Sequence, residues 1–328
     1  MTAPIRLELP TGFEFGSVNA YLLTGPEPAL VDTGLKSEAS WQALQSGLAQ
    51  HHLSITDLRR VIITHPHIDH CGQAGLIAAH SQAEIWIEEK GASWLLDYAG
   101  HLQARAEYYR RVFLPPLALP AGVSDWLLAY LAHMNEGADS VPAERIRTFR
   151  AGETLPLGDR SWQILPAPGH TSVQTCFYQP GARQLLSADM LLAKAPAPVV
   201  EKPPVGAAAS PPALAQFLES LQRIEALDID RVYPGHGEPF SGHRQVIQRQ
   251  RERLRQRQAE CLSLIAAGHR TVADLLDQMY ALYPPRFHLT GLWMLIGYLD
   301  LLEAEGQVEK QQVDGVWRYV KRILPTDH

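Results

Sequence analysis

The sequence contains few cysteines and no long hydrophobic run, and both shortages limit what the protein can be. Its three cysteines, Cys71, Cys176 and Cys261, lie far apart in the 328 residues and form no C-x-x-C pair. This pattern argues against a disulfide framework and a structural zinc finger, and it favours the reducing cytoplasm. No stretch approaches the ~18 apolar residues of a membrane span, and no apolar signal-peptide core is visible. We therefore expect a cytoplasmic protein without a membrane partner.

Basic residues are fewer than acidic ones, 29 against 35, and they are unevenly distributed along the chain. The formal net charge is -6, with 46% hydrophobic and 20% charged residues, which is a globular composition. Residues 1–240 carry 17 Lys and Arg against 25 Asp and Glu, whereas residues 241–328 carry 12 against 10. The charge balance argues against a protein that coats nucleic acid with its whole surface, and the asymmetry indicates two regions with different surfaces.

The pattern of apolar residues divides the chain into a large mixed region and a smaller helical one. Residues 1–90 alternate strand and helix signals, and a helical insertion at about 90–145 interrupts this frame. Strand signals return at 162–186, and the proline-rich stretch 195–213 is interpreted as a long loop. These signals predict one mixed α/β domain over residues 1–242.

Residues 243–328 show a different order of elements. Three helices, at about 243–267, 272–282 and 289–305, precede a hairpin whose turn is Asp314-Gly315. Three helices followed by a hairpin is the pattern of a winged helix-turn-helix. Five arginines between residues 249 and 257 are spaced by two, so on a helix they spread around the axis and form no single stripe that faces nucleic acid.

Four metal-ligand side chains lie within six residues, directly after an apolar β-branched run. They are the histidines and the aspartate of Thr64-His65-Pro66-His67-Ile68-Asp69-His70. In a turn from strand to helix, alternate residues converge, so His65 and His67 share one centre while Asp69 and His70 face a second. Imidazole and carboxylate together suit zinc, manganese or iron. Such close spacing argues against a solvated histidine turn.

Three further ligand candidates follow predicted strands downstream. His170 lies in Gly169-His170-Thr171, Asp189 follows a short apolar run, and His236 lies between two glycines after Val232-Tyr233-Pro234. Each is a weak signal alone. Together they supply ligands that distant strands deliver to one edge of a sheet.

The ordered set resembles the metallo-β-lactamase superfamily over about residues 5–240. The matching motifs are H-x-H-x-D-H at 65–70, Gly-His-Thr at 169–171, Asp189 and Gly-His-Gly at 235–237, with early motifs at 19–21 and 31–34. The resemblance implies an αββα sandwich with a dinuclear centre at one edge. It implies that His65, His67 and His170 bind one divalent ion, that Asp69, His70 and His236 bind the other, and that Asp189 bridges them. Zn²⁺ is the first choice, with Fe or Mn as alternatives.

An aspartate at position 189 looks like the glyoxalase II-type hydrolases rather than true zinc β-lactamases, which carry a cysteine there. The implied chemistry is attack by a metal-bridging hydroxide on a carbonyl carbon or a phosphorus. Asp69 is the candidate for proton transfer. Asp32, in Val31-Asp32-Thr33-Gly34, either orients a ligand histidine or only caps its turn.

The whole order of elements resembles the lactamase-β-2-like branch, which includes ribonucleases and thioester hydrolases. We expect a glyoxalase II-like hydrolase of a small acyl substrate, a thioester, ester or lactone. The alternative is a metal-dependent endoribonuclease or phosphodiesterase, and the third hypothesis is a DNA-binding regulator with a metal sensor. Acidic residues near the motifs, among them Glu84, Glu88 and Glu89, disfavour a nucleic-acid partner. A complete set of seven ligands disfavours a mere sensor.

Overall fold

The protein is described here from a computed structural model, which covers residues 3–12, 16–134, 136–194, 212–282 and 288–322. Most of the proline-rich stretch interpreted as a loop, residues 195–211, lies outside these ranges. None of the described helices is both long enough and apolar enough to cross a membrane.

A six-stranded sheet, sheet A, forms the first layer of the core. Its strands lie in the order β1 to β6, and those from β3 to β6 are mutually parallel, whereas β1 and β2 are antiparallel to their neighbours. The strands are β1 (Ile5–Leu9), β2 (Val18–Leu23), β3 (Ala29–Val31), β4 (Arg60–Ile62), β5 (Glu84–Glu88) and β6 (Ile146–Phe149). Every residue of β2 is buried, as expected for a strand covered on both faces.

A five-stranded sheet, sheet B, packs against sheet A. Its order is β11-β10-β9-β8-β7, and all its pairs are antiparallel except β10 with β11. The strands are β7 (Thr154–Leu157), β8 (Arg160–Pro166), β9 (Thr175–Gln179), β10 (Gln184–Ala188) and β11 (Arg231–Pro234). One apolar cluster joins the two sheets, with Val31 and Ile62 from sheet A against Trp162 and Phe177 from sheet B.

Helices cover the outer face of each sheet, so the predicted αββα sandwich is confirmed. On sheet A these are α1 (Glu38–Ala49), α2 (Ile68–Cys71) and α3 (Ala74–His80), whose apolar side chains share a cluster with the strands. On sheet B, α7 (Ala213–Glu225) buries Leu214, Phe217 and Leu221. Helix α1 begins at Ser37, whose side chain accepts a hydrogen bond from the Ser40 N–H.

The helical insertion predicted at about 90–145 lies between β5 and β6. It contains α4 (Ala92–Leu96), α5 (Tyr98–Tyr108), a π-helical turn over Tyr109–Phe113 and α6 (Ala121–Met134). The parallel strands β4 and β5 end at the same edge of sheet A. The insertion therefore leaves the sheet at the edge where the H-x-H-x-D-H segment begins.

The C-terminal region contains the predicted three helices and hairpin. The helices are α8 (His243–Ala266), α9 (Val272–Tyr280) and α10 (His288–Ala304), and the hairpin pairs β12 (Val308–Val313) with β13 (Val316–Lys321). Trp293 of α10 stacks on Phe113 of the insertion, with ring centroids 5.6 Å apart and planes 13° apart. The order of these elements is that of a winged helix, but the winged-helix assignment and the domain boundary at residue 242 remain predictions from the sequence.

Three strands have no counterpart in the sequence-based prediction. Strand β1 lies between two prolines and carries charges, while β6 and β7 are four residues each and contain exposed polar positions. Their alternation is too short to separate from a loop by periodicity. The apolar β-branched run before the H-x-H-x-D-H segment forms a strand only over Arg60–Ile62, because the chain then turns toward the edge.

Candidate metal centre

All seven predicted ligands leave the ends of strands at one edge of the sandwich. His65, His67, Asp69 and His70 follow β4, and the last two lie in the first turn of α2, which begins after His67. His170 follows β8, Asp189 follows β10 and His236 follows β11. Because β8, β10 and β11 run in the same direction, their carboxyl ends meet at this edge.

Three histidines form the first group, which we call triad 1: His65, His67 and His170. The Nδ1 atom of His67 lies 3.0 Å from His65 Nε2 and 2.9 Å from His170 Nε2. Burial lowers the pKa of both His65 and His67 well below the ordinary imidazole value, so these rings are neutral. Neutral imidazoles whose nitrogens converge on one point are suited to bind a divalent ion.

Asp69, His70 and His236 form the second group, triad 2. Their ligand atoms lie within 4.8 Å of one another, as do those of triad 1. The Nε2 atom of His236 is 3.4 Å from Asp69 Oδ2. Burial alone would raise the pKa of the Asp69 carboxyl, but the imidazoles of His70 and His236 lower it to about 2.

Asp189 lies between the two triads. Its Oδ1 atom is 3.5 Å from His70 Nε2, and its Oδ2 atom is 3.5 Å from His170 Nε2 and 3.4 Å from His236 Nε2. One carboxylate therefore faces ligands of both triads with different oxygens. Burial would lower the pKa of His236, but Asp189 and Asp69 raise it to about 10, which shows how strongly this centre attracts positive charge.

Two ring nitrogens are fixed from outside the centre. His70 Nδ1 donates to Asp32 Oδ2 at 2.8 Å, and His236 Nδ1 donates to the carbonyl of Ser17 at 2.8 Å. Because each bond keeps a proton on Nδ1, Nε2 of each ring presents its lone pair to the centre when the ring is neutral, as in a metal-bound histidine. Buried His70 Nε2 and Asp189 Oδ1 have no hydrogen-bond partner among the described residues. Burial would lower the pKa of His70, but the carboxylates of Asp189, Asp69 and Asp32 raise it, so this pair of atoms attracts a cation between them, and the residues present fit divalent metal.

Asp32 is completely surrounded by donors. In addition to the hydrogen bond from His70, Asp32 accepts one from the Thr64 N–H at Oδ1 and one from the Thr64 hydroxyl at Oδ2, each at 2.9 Å. Its backbone has φ 61°, in the left-handed region that aspartate tolerates better than most residues. Of the two alternatives left open by the sequence, this geometry favours contact with the ligand histidine over simple capping.

A family-wide comparison agrees with this arrangement. The model of the metallo-beta-lactamase superfamily matches residues 13–236, which include all seven candidate ligands. The protein belongs to the metallo-beta-lactamase superfamily. Within the superfamily, the chain is 30% identical over 310 residues to "Probable metallo-hydrolase YqjP" of Bacillus subtilis, covering 92% of each protein.

Two further members of the superfamily show similarity of different extent. A metallo-beta-lactamase family protein from Thermus thermophilus has a crystal structure with a TM-score of 0.80, 26% identity and coverage of 97% of this chain and 98% of that one. The hydroxyacylglutathione hydrolase of Rhizobium etli is 31% identical over 133 residues, which is 40% of this chain and 48% of that protein. The similarity to the Bacillus subtilis and Thermus thermophilus proteins thus extends over nearly the whole chain, whereas the similarity to the hydroxyacylglutathione hydrolase covers less than half of it.

The structure also shows residues that support the candidate metal centre and for which the sequence analysis proposed no role. The Asn19 side-chain amide donates to the carbonyls of Pro234 at 2.9 Å and Gly237 at 2.7 Å, and the Tyr21 hydroxyl donates to Pro234 at 2.7 Å. These bonds hold the loop that carries His236. The motif Asn19-Ala20-Tyr21 is visible in the sequence, but its contacts span more than 200 residues.

Cys71, which directly follows a ligand candidate, is a packed thiol. It is 1% exposed, and burial, with the nearby Asp69 carboxylate, raises the pKa of its thiol well above the usual value. A thiol that stays protonated is a poor nucleophile. The described part of the chain thus offers no activated cysteine beside the candidate metal ligands.

Proposed function

We propose that the protein is a hydrolase with two divalent metal ions, Zn²⁺ being the first choice, that cleaves a small acyl substrate such as a thioester, ester or lactone. The observation that carries the proposal is Asp189, whose two oxygens face ligands of different triads. A carboxylate shared in this way suits two adjacent cations better than one. Superfamily membership and the two triads support the more general conclusion that the protein is a metal-dependent hydrolase.

Triad 1 would hold one ion, triad 2 the other, and Asp189 would contact both. Bound divalent ions polarise the oxygen of an electrophile and lower the pKa of a coordinated water. The protein's own residues orient the ligands: Asp32 holds the His70 ring, and the Ser17 carbonyl holds the His236 ring. In this proposal Asp69, whose Oδ2 lies 3.4 Å from His236 Nε2, would take up and return a proton at that oxygen during the reaction.

Two observations support an acyl substrate. The aspartate at position 189 resembles glyoxalase II-type hydrolases, and a partial relative is a hydroxyacylglutathione hydrolase. The second is that Cys71, the cysteine next to a ligand candidate, is a packed and protonated thiol and so is not suited to form an acyl-enzyme. Direct attack by water suits a thioester, whose leaving thiolate needs little assistance.

The charge argument against a nuclease is weaker in the structure than in the sequence. Glu84 lies at the opposite end of β5 from the candidate site and pairs with Arg147 at 3.1 Å. Glu89 pairs with Arg150 at 2.8 Å, so part of the acidic charge near the motifs is offset. Phosphodiester cleavage is therefore included as an outcome of the test.

The test is a panel of thioesters, esters, lactones, phosphodiesters and RNA, assayed with metal analysis of the same protein. We expect about two divalent ions per chain and hydrolysis of acyl compounds before phosphodiesters. Asp189→Ala is expected to lower the metal content and to reduce the rate by at least about 100-fold, since supporting residues alone are worth 10- to 100-fold.

Asp230→Ala is the matched control for this carboxylate. Asp230 is 61% exposed and pairs with Arg183 on the surface, an interaction worth at most about 1 kcal/mol. Metal content and rate are expected to stay unchanged in Asp230→Ala. Normal metal content and rate in Asp189→Ala, or cleavage of RNA alone, would contradict the proposed function.

A further inference from the structure

One face of α6 carries a row of large side chains. Trp126, Tyr130 and Met134 follow one another at intervals of four residues, so they lie along the same side of the helix. The row is about 12 Å long, at a rise of 1.5 Å per residue. Its length matches that of a bicyclic or longer acyl group.

The inner end of this row packs toward α2, the helix that carries Asp69 and His70. Met134 packs against the cluster that contains Ile68 and Cys71, the neighbours of Asp69 and His70. The backbone at Gly137 is so close to Ile68 that an added Cβ would lie 3.0 Å from its Cδ1 atom. The chain that ends α6 therefore rests directly on α2, the helix that carries two ligand candidates.

Tyr130 is also within electrostatic reach of the centre. Burial raises the pKa of the Tyr130 hydroxyl, and the carboxylate of Asp69 raises it further. The insertion also starts at this edge, because β5 is parallel to β4 and ends beside it. The insertion thus starts at the edge where the candidate centre lies, and the Asp69 carboxylate acts on the Tyr130 hydroxyl.

The outer end of the row is open. Trp126 is 49% exposed, whereas its neighbour Leu127 is 2% exposed. The indole stacks on the Tyr130 ring, with centroids 5.6 Å apart and planes 18° apart. Trp94, elsewhere in the insertion, is covered by His101, stacked at 4.6 Å, and by the Arg105 guanidinium at 4.8 Å. Among the described residues, Trp126 has no ring contact other than Tyr130 and no cation over its face.

We propose that Trp126 and Tyr130 form a subsite that binds a flat, apolar acyl group, so that the enzyme favours esters or thioesters of aromatic acids over those of short aliphatic acids. This inference rests on the proposed function. An aromatic acyl group bound against these rings would direct its carbonyl along the row toward α2, which carries Asp69. Aromatic side chains stack on other flat, uncharged groups. Trp126 and Tyr130 are both uncharged at neutral pH, so they suit an uncharged aromatic group.

The kinetic test compares 2-naphthoyl and acetyl thioesters of the same thiol. In Trp126→Ala we expect KM for the naphthoyl thioester to rise about tenfold, with kcat nearly unchanged, and KM for the acetyl thioester to stay the same. Trp126→Phe, which keeps a stacking ring, is expected to restore most of the loss. Val112→Ala is the matched control, because Val112 is 54% exposed and lies in the same insertion but off the row.

A binding test separates this inference from the proposed function. We use 2-naphthamide, which resembles the acyl group and resists hydrolysis, and titrate it into the purified full-length protein by calorimetry. We expect the dissociation constant to rise about tenfold in Trp126→Ala and to be unchanged in Val112→Ala. If 2-naphthamide binds through Trp126 while no acyl compound is hydrolysed, the subsite is supported and the proposed function is contradicted.

The opposite result overturns the subsite alone. It would be seen if the enzyme hydrolysed both thioesters with equal kcat/KM and Trp126→Ala changed neither KM nor 2-naphthamide binding. A loss of equal size for both thioesters, with a lower melting temperature, would also overturn it, since it would mean that Trp126 only supports the fold.

Discussion

At the scale of single residues, the candidate centre depends on how closely the backbone approaches Asp189. Gly235 precedes His236, and a Cβ at this position would lie 2.2 Å from Asp189 Oδ1 and 2.9 Å from His70 Cε1. Neither atom belongs to a flexible surface side chain, because both are buried among the ligands. The glycine is needed here for space beside the carboxylate.

Gly235→Ala is therefore expected to displace the Asp189 carboxylate and to lower the metal content by about one ion per chain. Metal analysis of the purified variant measures this. Gly122→Ala is the matched control, because a Cβ at Gly122 meets nothing within 4 Å and should leave the metal content unchanged. Full metal occupancy in Gly235→Ala would show that the centre tolerates the added methyl group and would contradict the prediction.

Asp32 acts at the same scale through His70. An asparagine has the same shape but presents one NH₂ group to donors, so it cannot accept from the Thr64 N–H, the Thr64 hydroxyl and His70 Nδ1 together. We expect Asp32→Asn to weaken metal binding by about 10- to 100-fold, the usual effect of losing such a contact. Competition with a chelator gives the dissociation constant. Asp230→Asn serves as the surface control, and equal affinity in the two variants would leave Asp32 with only a turn-capping role.

At the scale of elements, strand β2 and the loop after β11 form one unit. In addition to the side-chain hydrogen bonds of Asn19 and Tyr21, the backbone N–H of Asn19 donates a hydrogen bond to the Gly235 carbonyl at 2.7 Å. The loop therefore depends on sheet A for its position, although it belongs to sheet B. This cross-sheet contact places His236 beside Asp69.

Asn19→Ala removes two donors and leaves buried carbonyls without partners, a cost of about 1–3 kcal/mol in the free energy of unfolding. We expect a lower melting temperature together with loss of the ion held by His236, so that metal content falls toward one per chain. Tyr21→Phe removes a single hydroxyl and should show a smaller change in both quantities. A lower melting temperature with two ions still bound would mean that the contact stabilises the fold without positioning His236.

At the scale of the whole molecule, the two regions predicted from the sequence share one hydrophobic cluster. It runs from sheet B and α7 through Tyr109 and Phe113 of the insertion to α8, α9 and α10. Trp293 contacts both insertion aromatics, each with ring centroids 5.6 Å away. Regions joined by so continuous a core are expected to unfold together.

We therefore expect one cooperative thermal transition for the full chain, although the sequence predicts a boundary at residue 242. Calorimetry should give a van't Hoff enthalpy close to the measured enthalpy, and near- and far-ultraviolet circular dichroism should show the same midpoint. Two resolved transitions would instead support independent domains over residues 1–242 and 243–328.

Local signals in the sequence were enough to predict the ligand-type residues that the fold brings together. H-x-H-x-D-H after an apolar run, and single ligands after three later strands, predicted the edge of the sandwich at which all seven side chains meet. Asp314-Gly315 likewise predicted the hairpin of β12 and β13. These signals are local, because a turn or a strand end is encoded by a few adjacent residues. Metal binding by the seven residues stays a prediction.

The residues that support these ligand candidates could not be predicted from the sequence and were identified from contacts between distant segments. The bonds from Asn19 to Gly237, the contact of Gly235 with Asp189 and the row of α6 beside α2 join segments far apart in the sequence. They depend on the register of strands and on the packing of one sheet against the other. Apolar periodicity shows that a helix or strand has a buried face, but it does not show which distant backbone that face meets.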